Sequence, residues 1–182
     1  MRRSIVLALA LLAAGCIPQS ERPVPPAEPS PAPTPAPAPA PAPSPPTAAL
    51  AGDWRDWPLT RGDWDYRQDD RGSIALFGSP GGDALFTIRC DQGRDTVYLS
   101  RAGAIRGETR LTIRTTSADR VLTARPTGGT PPYLAVALHP SDRLLDAMGF
   151  SRGRFIVETP GLPTLVIPSW AEILRVTEDC RA

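Results

Sequence analysis

The stretch Ala84-Leu85-Phe86-Thr87-Ile88-Arg89-Cys90 sets the fold class. Phe86, Ile88 and Cys90 fall on one side of an extended chain, and Thr87 and Arg89 on the other, because successive side chains of a strand point to opposite faces. An alternation of this length is the signature of a half-buried strand. It also aims the Cys90 thiol at the side where two core residues lie.

The same pattern continues outward in both directions. Upstream, Ser73-Ile74-Ala75-Leu76-Phe77 stops at Gly78-Ser79-Pro80-Gly81-Gly82-Asp83, a hairpin-like loop. Downstream, Asp91-Gln92-Gly93-Arg94 turns into a strand over 95–100. Further strands are expected at 110–115, 121–124, Tyr133–Leu138, 155–158 and 165–167, joined by Gly- and Pro-rich connections. Such spacing predicts a mainly β domain, an antiparallel β-sandwich or partly open barrel.

Two helices interrupt the strands. Ser141 or Asp142 can cap a short one carrying Leu144, Leu145 and Met148 on one side, with Gly149 as its stop and Phe150 supplying the hydrophobic contact after it. At the C-terminal end, Ser169-Trp170-Ala171-Glu172 fits a capping box. Trp170, Ile173, Leu174, Thr177 and Cys180 then recur at helical spacing. Cys90 and Cys180 make an even pair in a small domain, which reads as a disulfide in an oxidising compartment. That bond would tie the C-terminal helix to the sheet.

The order of these segments over 84–180 is similar to small secreted bacterial β-sandwich proteins, namely type VI secretion-associated accessory proteins and invasion-associated locus B-type proteins. The resemblance implies a non-catalytic role in the cell envelope and supplies no binding residues.

The start of the chain concerns address. Arg2 and Arg3 precede an apolar run, Ile5 to Leu12, that ends in Ala13-Ala14-Gly15-Cys16. This is the layout of a secretory signal peptide, too short for the roughly 20 apolar residues of a membrane span. The junction resembles the lipobox of bacterial lipoproteins, with Ala13 where that class prefers Leu. The resemblance implies a signal peptide at 1–15, a diacylglyceryl group on Cys16, cleavage before it and acylation of the new amino terminus. Ile17, in place of the Asp that marks inner-membrane retention, directs the expectation to the outer membrane, with the chain held on the periplasmic face. Ordinary signal cleavage, leaving Cys16 a free thiol, is the other reading.

Residues 16–50 form a separate region. Pro31-Ala32-Pro33-Thr34-Pro35 and the Pro-Ala repeat that follows have almost nothing apolar to bury. Such a segment is a disordered, polyproline-II-like linker, and 23–46 would reach on the order of 75 Å as a stalk. The globular domain is then 51–182, enough chain for one core.

Composition narrows the function classes. All 20 basic residues are Arg, and the formal net charge is +1 without a basic block. Nucleic-acid binding wants a concentrated basic face, so it is not expected. His139 is the single histidine, there is no Gly-x-Ser-x-Gly, and a Cys90–His139 dyad would need a reduced Cys90. No metal site or cofactor is expected. Residues 53–70 hold Trp54, Trp57, Trp64 and Tyr66 among several Asp residues. Indole faces could stack on sugars and paired carboxylates could act on a glycan. A calcium loop is opposed by Arg67, which sits where an oxygen ligand is needed. The structural alternative is that the Trp residues cover one end of the core.

The expected function is that of a non-enzymatic, lipid-anchored envelope protein with a binding or accessory role, its partner a protein or peptidoglycan. A glycan-binding or glycan-active protein using Trp54, Trp57, Trp64 and Tyr66 is one alternative. An inhibitor or chaperone of periplasmic enzymes is the other.

Overall fold

The computed structural model describes residues 50–182. The signal peptide expected at 1–15, the lipidation expected at Cys16 and the linker expected up to residue 49 lie outside them. The strands are β1 (Asp63–Asp69), β2 (Gly72–Gly78), β3 (Phe86–Asp91), β4 (Thr96–Ala102), β5 (Thr109–Arg114), β6 (Asp119–Pro126), β7 (Tyr133–Leu138), β8 (Arg154–Glu158) and β9 (Leu165–Pro168). Two helices accompany them, α1 (Arg143–Gly149) and α2 (Ala171–Asp179). The strands form one antiparallel sheet in the order β1-β2-β3-β4-β7-β6-β5-β8-β9.

Alternation in the sequence becomes alternation in burial. Ser73, Ala75 and Phe77 point inward from β2, as do Phe86, Ile88 and Cys90 from β3 and Val97 and Leu99 from β4. The sheet folds over itself at β6. Its first six residues pair with β5, whereas only Arg125 and Pro126 reach β7. The two halves thereby face each other, and Phe86 of β3 meets Phe155 of β8 edge-on at 6.0 Å between ring centroids.

The sheet is not closed, because β1 and β9 do not pair as strands. Thr60, just before β1, substitutes for a strand partner. Its amide donates to the Val166 carbonyl at 2.9 Å, and its Oγ1 accepts from the Val166 amide at 2.9 Å. The Trp64 indole donates to the Pro168 carbonyl at 2.9 Å, and Pro168 has no amide to satisfy. The outer edge of β9 is therefore blunted by side chains and a proline.

Helix α2 fills the interior with Ile173, Val176 and Thr177. A disulfide joins Cys90 to Cys180, with Cα atoms 5.4 Å apart, so the terminal helix is tied to the sheet as its spacing predicted.

Details at the helix ends differ from expectation. Asp142 caps α1, accepting from the Leu144 amide at 2.8 Å. The helix ends at Gly149, as expected, though without a left-handed glycine cap. That glycine lies within the last turn, where a Cβ would run into the Leu174 side chain of α2, and Phe150 after it is 72% exposed rather than packed. The capping box at α2 does not form either. Trp170 is the N-cap with no side-chain bond, and Ser169 Oγ and Glu172 Oε2 are both buried without partners. Trp170 has extended backbone, so helical spacing does not apply to it, and its ring is 47% exposed. The buried face of α2 runs Ile173, Val176, Thr177 and Cys180.

Candidate functional site

The aromatic cluster expected at 53–70 is taken apart by the fold. Residues Trp54–Asp56 form a 3-10 turn capped by Asp53, and Trp54 and Trp57 remain half-buried. Trp64 is core: it is 8% exposed and packs on Phe77 with ring centroids 5.5 Å apart. Tyr66, two residues further along β1, faces the same way. Its hydroxyl donates to Asp179 Oδ2 at 2.6 Å, and the Arg175 guanidinium stacks 3.7 Å over its ring. The structure thus does not bring Trp54, Trp57, Trp64 and Tyr66 together on one surface: Trp64 is enclosed, and Tyr66 is partly buried against the core. The alternation of Trp64 and Tyr66 with Asp63, Asp65 and Arg67 was the signal of strand β1 itself.

A more coherent surface lies on the solvent face of the sheet. The register aligns Leu76 with Thr87, Thr87 with Ser100, Ser100 with Ala135, and Ala135 with Arg125. This row of short side chains crosses β3, β4 and β7 perpendicular to the strands. Beside it runs a row made taller by Ile74, Arg89 and Tyr98, which ends at Ala137. The difference in height leaves a trough. One part holds about 410 Å³ between Arg71, Ile74, Thr87, Arg89, Tyr98 and Ser100. The adjoining part holds about 300 Å³ and shares Tyr98 and Ala135 with it. Thr87 forms the floor, 9% exposed although it faces solvent.

Carboxylates hold the rim arginines in place. Arg89 grips Asp69 through both nitrogens, at 3.0 and 2.7 Å, and this bond holds the Asp69 carboxyl well below its ordinary range, at about 2. Arg71 and Arg94 both donate to Asp91, at 2.7 and 2.8 Å. Bonds from Arg71 first, then Arg94, lower the Asp91 pKa. Planar guanidinium pairs of this kind are preorganised for recognition.

A third cluster has the composition of a nucleophilic site. His139 Nδ1 lies 2.7 Å from Ser141 Oγ, and its Nε2 lies 3.0 Å from Asp95 Oδ2. The Ser141 amide also donates to Nδ1, at 3.2 Å. The ring proton therefore belongs on Nε2, facing Asp95. Serine, imidazole and carboxylate stand in hydrogen-bond order, yet the setting is wrong for acyl transfer. The His139 and Asp95 side chains are 64% and 68% exposed, and the Ser141 amide is spent on the ring. Neither part of the trough includes these residues. What the bonds do is lock the turn leading into α1.

Among the described residues, no group of three or more His, Cys, Asp or Glu side chains is placed to hold a metal ion. One buried charge was not foreseen in the sequence. Arg101 points inward from β4 at 4% exposure, and its guanidinium bonds the carbonyls of Leu85, Ala102 and Pro163 without a carboxylate. Burial lowers its pKa. It pins the loop before β9 to β4.

Comparison with known proteins finds no matching family model, no matching curated protein and no matching solved structure.

Proposed function

We propose that this chain is a lipid-anchored protein of the bacterial cell envelope, attached through Cys16 at the outer membrane, whose domain binds a partner protein in a non-enzymatic accessory role. The observation that carries the binding reading is the trough across β3, β4 and β7. Its floor is made of Thr87, Ser100 and Ala135, and its rim of Tyr98 and ion-paired arginines. Tyr and Arg are enriched where proteins meet proteins, and short floor residues give the partner's side chains room. Inhibition or chaperoning of an envelope enzyme would use the same surface. The glycan alternative keeps only Trp54 and Trp57, which the 3-10 turn holds half-buried.

The site is tested by filling it. Ser100 faces solvent, so Ser100→Arg blocks the trough without touching the core. Thr127 also lines the trough, so a photoreactive side chain there should cross-link a partner in whole cells, and Ser100→Arg should abolish that product. A cross-link that survives Ser100→Arg unchanged refutes the site. The anchor is checked separately by the mass of the mature protein, which should lack residues 1–15 and carry acyl chains on Cys16.

A further inference from the structure

Four large hydrophobic side chains of the described domain are exposed: Leu59, Val121, Phe150 and Trp170. Three of them sit on segments that meet at one end of the β8–β9 pair. Arg154 pairs with Pro168 there, and the Ser169 amide donates to Gly153 at 3.3 Å, bringing the turn after Phe150 against the turn holding Trp170. Leu59 precedes Thr60, which is bonded to Val166, and Arg154 also donates to the Trp57 carbonyl. Leading into this same place is the start of the described chain, since the Trp57 indole donates to the Ala51 carbonyl at 3.1 Å.

We infer that this end of the domain is a membrane-contacting surface, with Trp170, Phe150 and Leu59 seated at the boundary between headgroups and acyl chains. The inference rests on the reading of Cys16 as lipid-bearing. Cys16 and Leu50 are 34 positions apart, a span of at most on the order of 100 Å even as extended polyproline II. The chain enters the domain beside the patch, so an anchor at Cys16 presents this end of the domain, rather than the opposite one, toward the bilayer whenever the tether lets it approach. Trp and Phe are side chains that favour this boundary, the indole offering an apolar body and a polar N–H. Arg61 and Arg152 lie on the same segments and enter none of the ion pairs among the described residues. They are available to phosphate headgroups.

The test uses residues 17–182, which contain the whole described core and carry no acyl group. They are mixed with vesicles of phosphatidylethanolamine and phosphatidylglycerol bearing brominated acyl chains. Binding should quench tryptophan emission, and Trp170→Phe should measurably lower that quenching, the rest coming from Trp57 at the same end. Phe150→Ser with Trp170→Ser should lower the bound fraction about tenfold, while Val121→Ser, on β6, should leave it unchanged. Absence of binding at millimolar lipid, or equal binding by the double variant, overturns the inference. So does a dimer of the free chain that the double variant dissolves, because the patch would then be an interface between copies. An acylated mature protein whose domain fails to bind vesicles sinks this surface and leaves the anchor standing. Vesicle binding with no acyl mass does the reverse.

Discussion

Trp57 and Trp64 share a short stretch of sequence and have different jobs. Trp64 is shut between Phe77 and the Pro168 carbonyl, whereas Trp57 is half-exposed and holds the start of the domain through its indole N–H. Truncating a fully packed aromatic removes its transfer free energy and leaves a cavity. Trp64→Ala should therefore cost about 3–5 kcal/mol, read from denaturant unfolding, and Trp57→Ala distinctly less. Equal losses would mean that Trp64 is not the core residue described. Sequence carried the identities of these residues and the alternation that makes β1 a strand. It did not carry which aromatic would be enclosed, because that depends on Phe77 and Pro168 arriving from elsewhere in the chain. Arg101 makes the same point: only the fold shows an arginine turned inward onto backbone carbonyls.

At the scale of elements, strands were more legible than helix ends. Strand β7 spans the residues its pattern predicted, Tyr133–Leu138, because period-two alternation survives any tertiary arrangement that buries one face. Helix ends answer to local rules that packing can override. Gly149 is the last residue of α1, and what packing adds is that it gives clearance to Leu174, where the two helices touch. Gly149→Ala should consequently destabilise the protein by about 1–3 kcal/mol through overpacking, although Ala is the better helix former. Thermal melts of Gly149→Ala with and without Leu174→Ala check this. If removing Leu174 does not relieve the Gly149→Ala defect, the clearance explanation fails. The empty capping box has a related cause. Trp170, not Ser169, takes the N-cap position, so Ser169 and Glu172 fall one residue out of the reciprocal geometry the motif requires.

Over the whole molecule, two devices hold an open sheet together. One is the side-chain closure of the β9 edge by Thr60 and Trp64. The other is the Cys90–Cys180 bond, which spans 90 residues. In the chain-entropy account a loop of this length contributes roughly 4–5 kcal/mol by restricting the unfolded chain. Reduction, or Cys90→Ser with Cys180→Ser, should lower the denaturant midpoint by a corresponding amount while the far-ultraviolet circular dichroism stays β-rich. A midpoint unmoved by reduction would show that the bond carries no such load.

Fold class, the disulfide and most strands followed from the sequence by itself, because alternation and cysteine parity are local or countable properties of the chain. Only the tertiary structure decided which side chains share a surface. The trough exists because the register sets Thr87, Ser100 and Ala135 side by side. The apolar end exists because a backbone hydrogen bond from Ser169 to Gly153 joins two turns far apart in sequence. Register and long-range closure depend on how strands from distant parts of the chain pair, and no stretch of residues read alone contains that information.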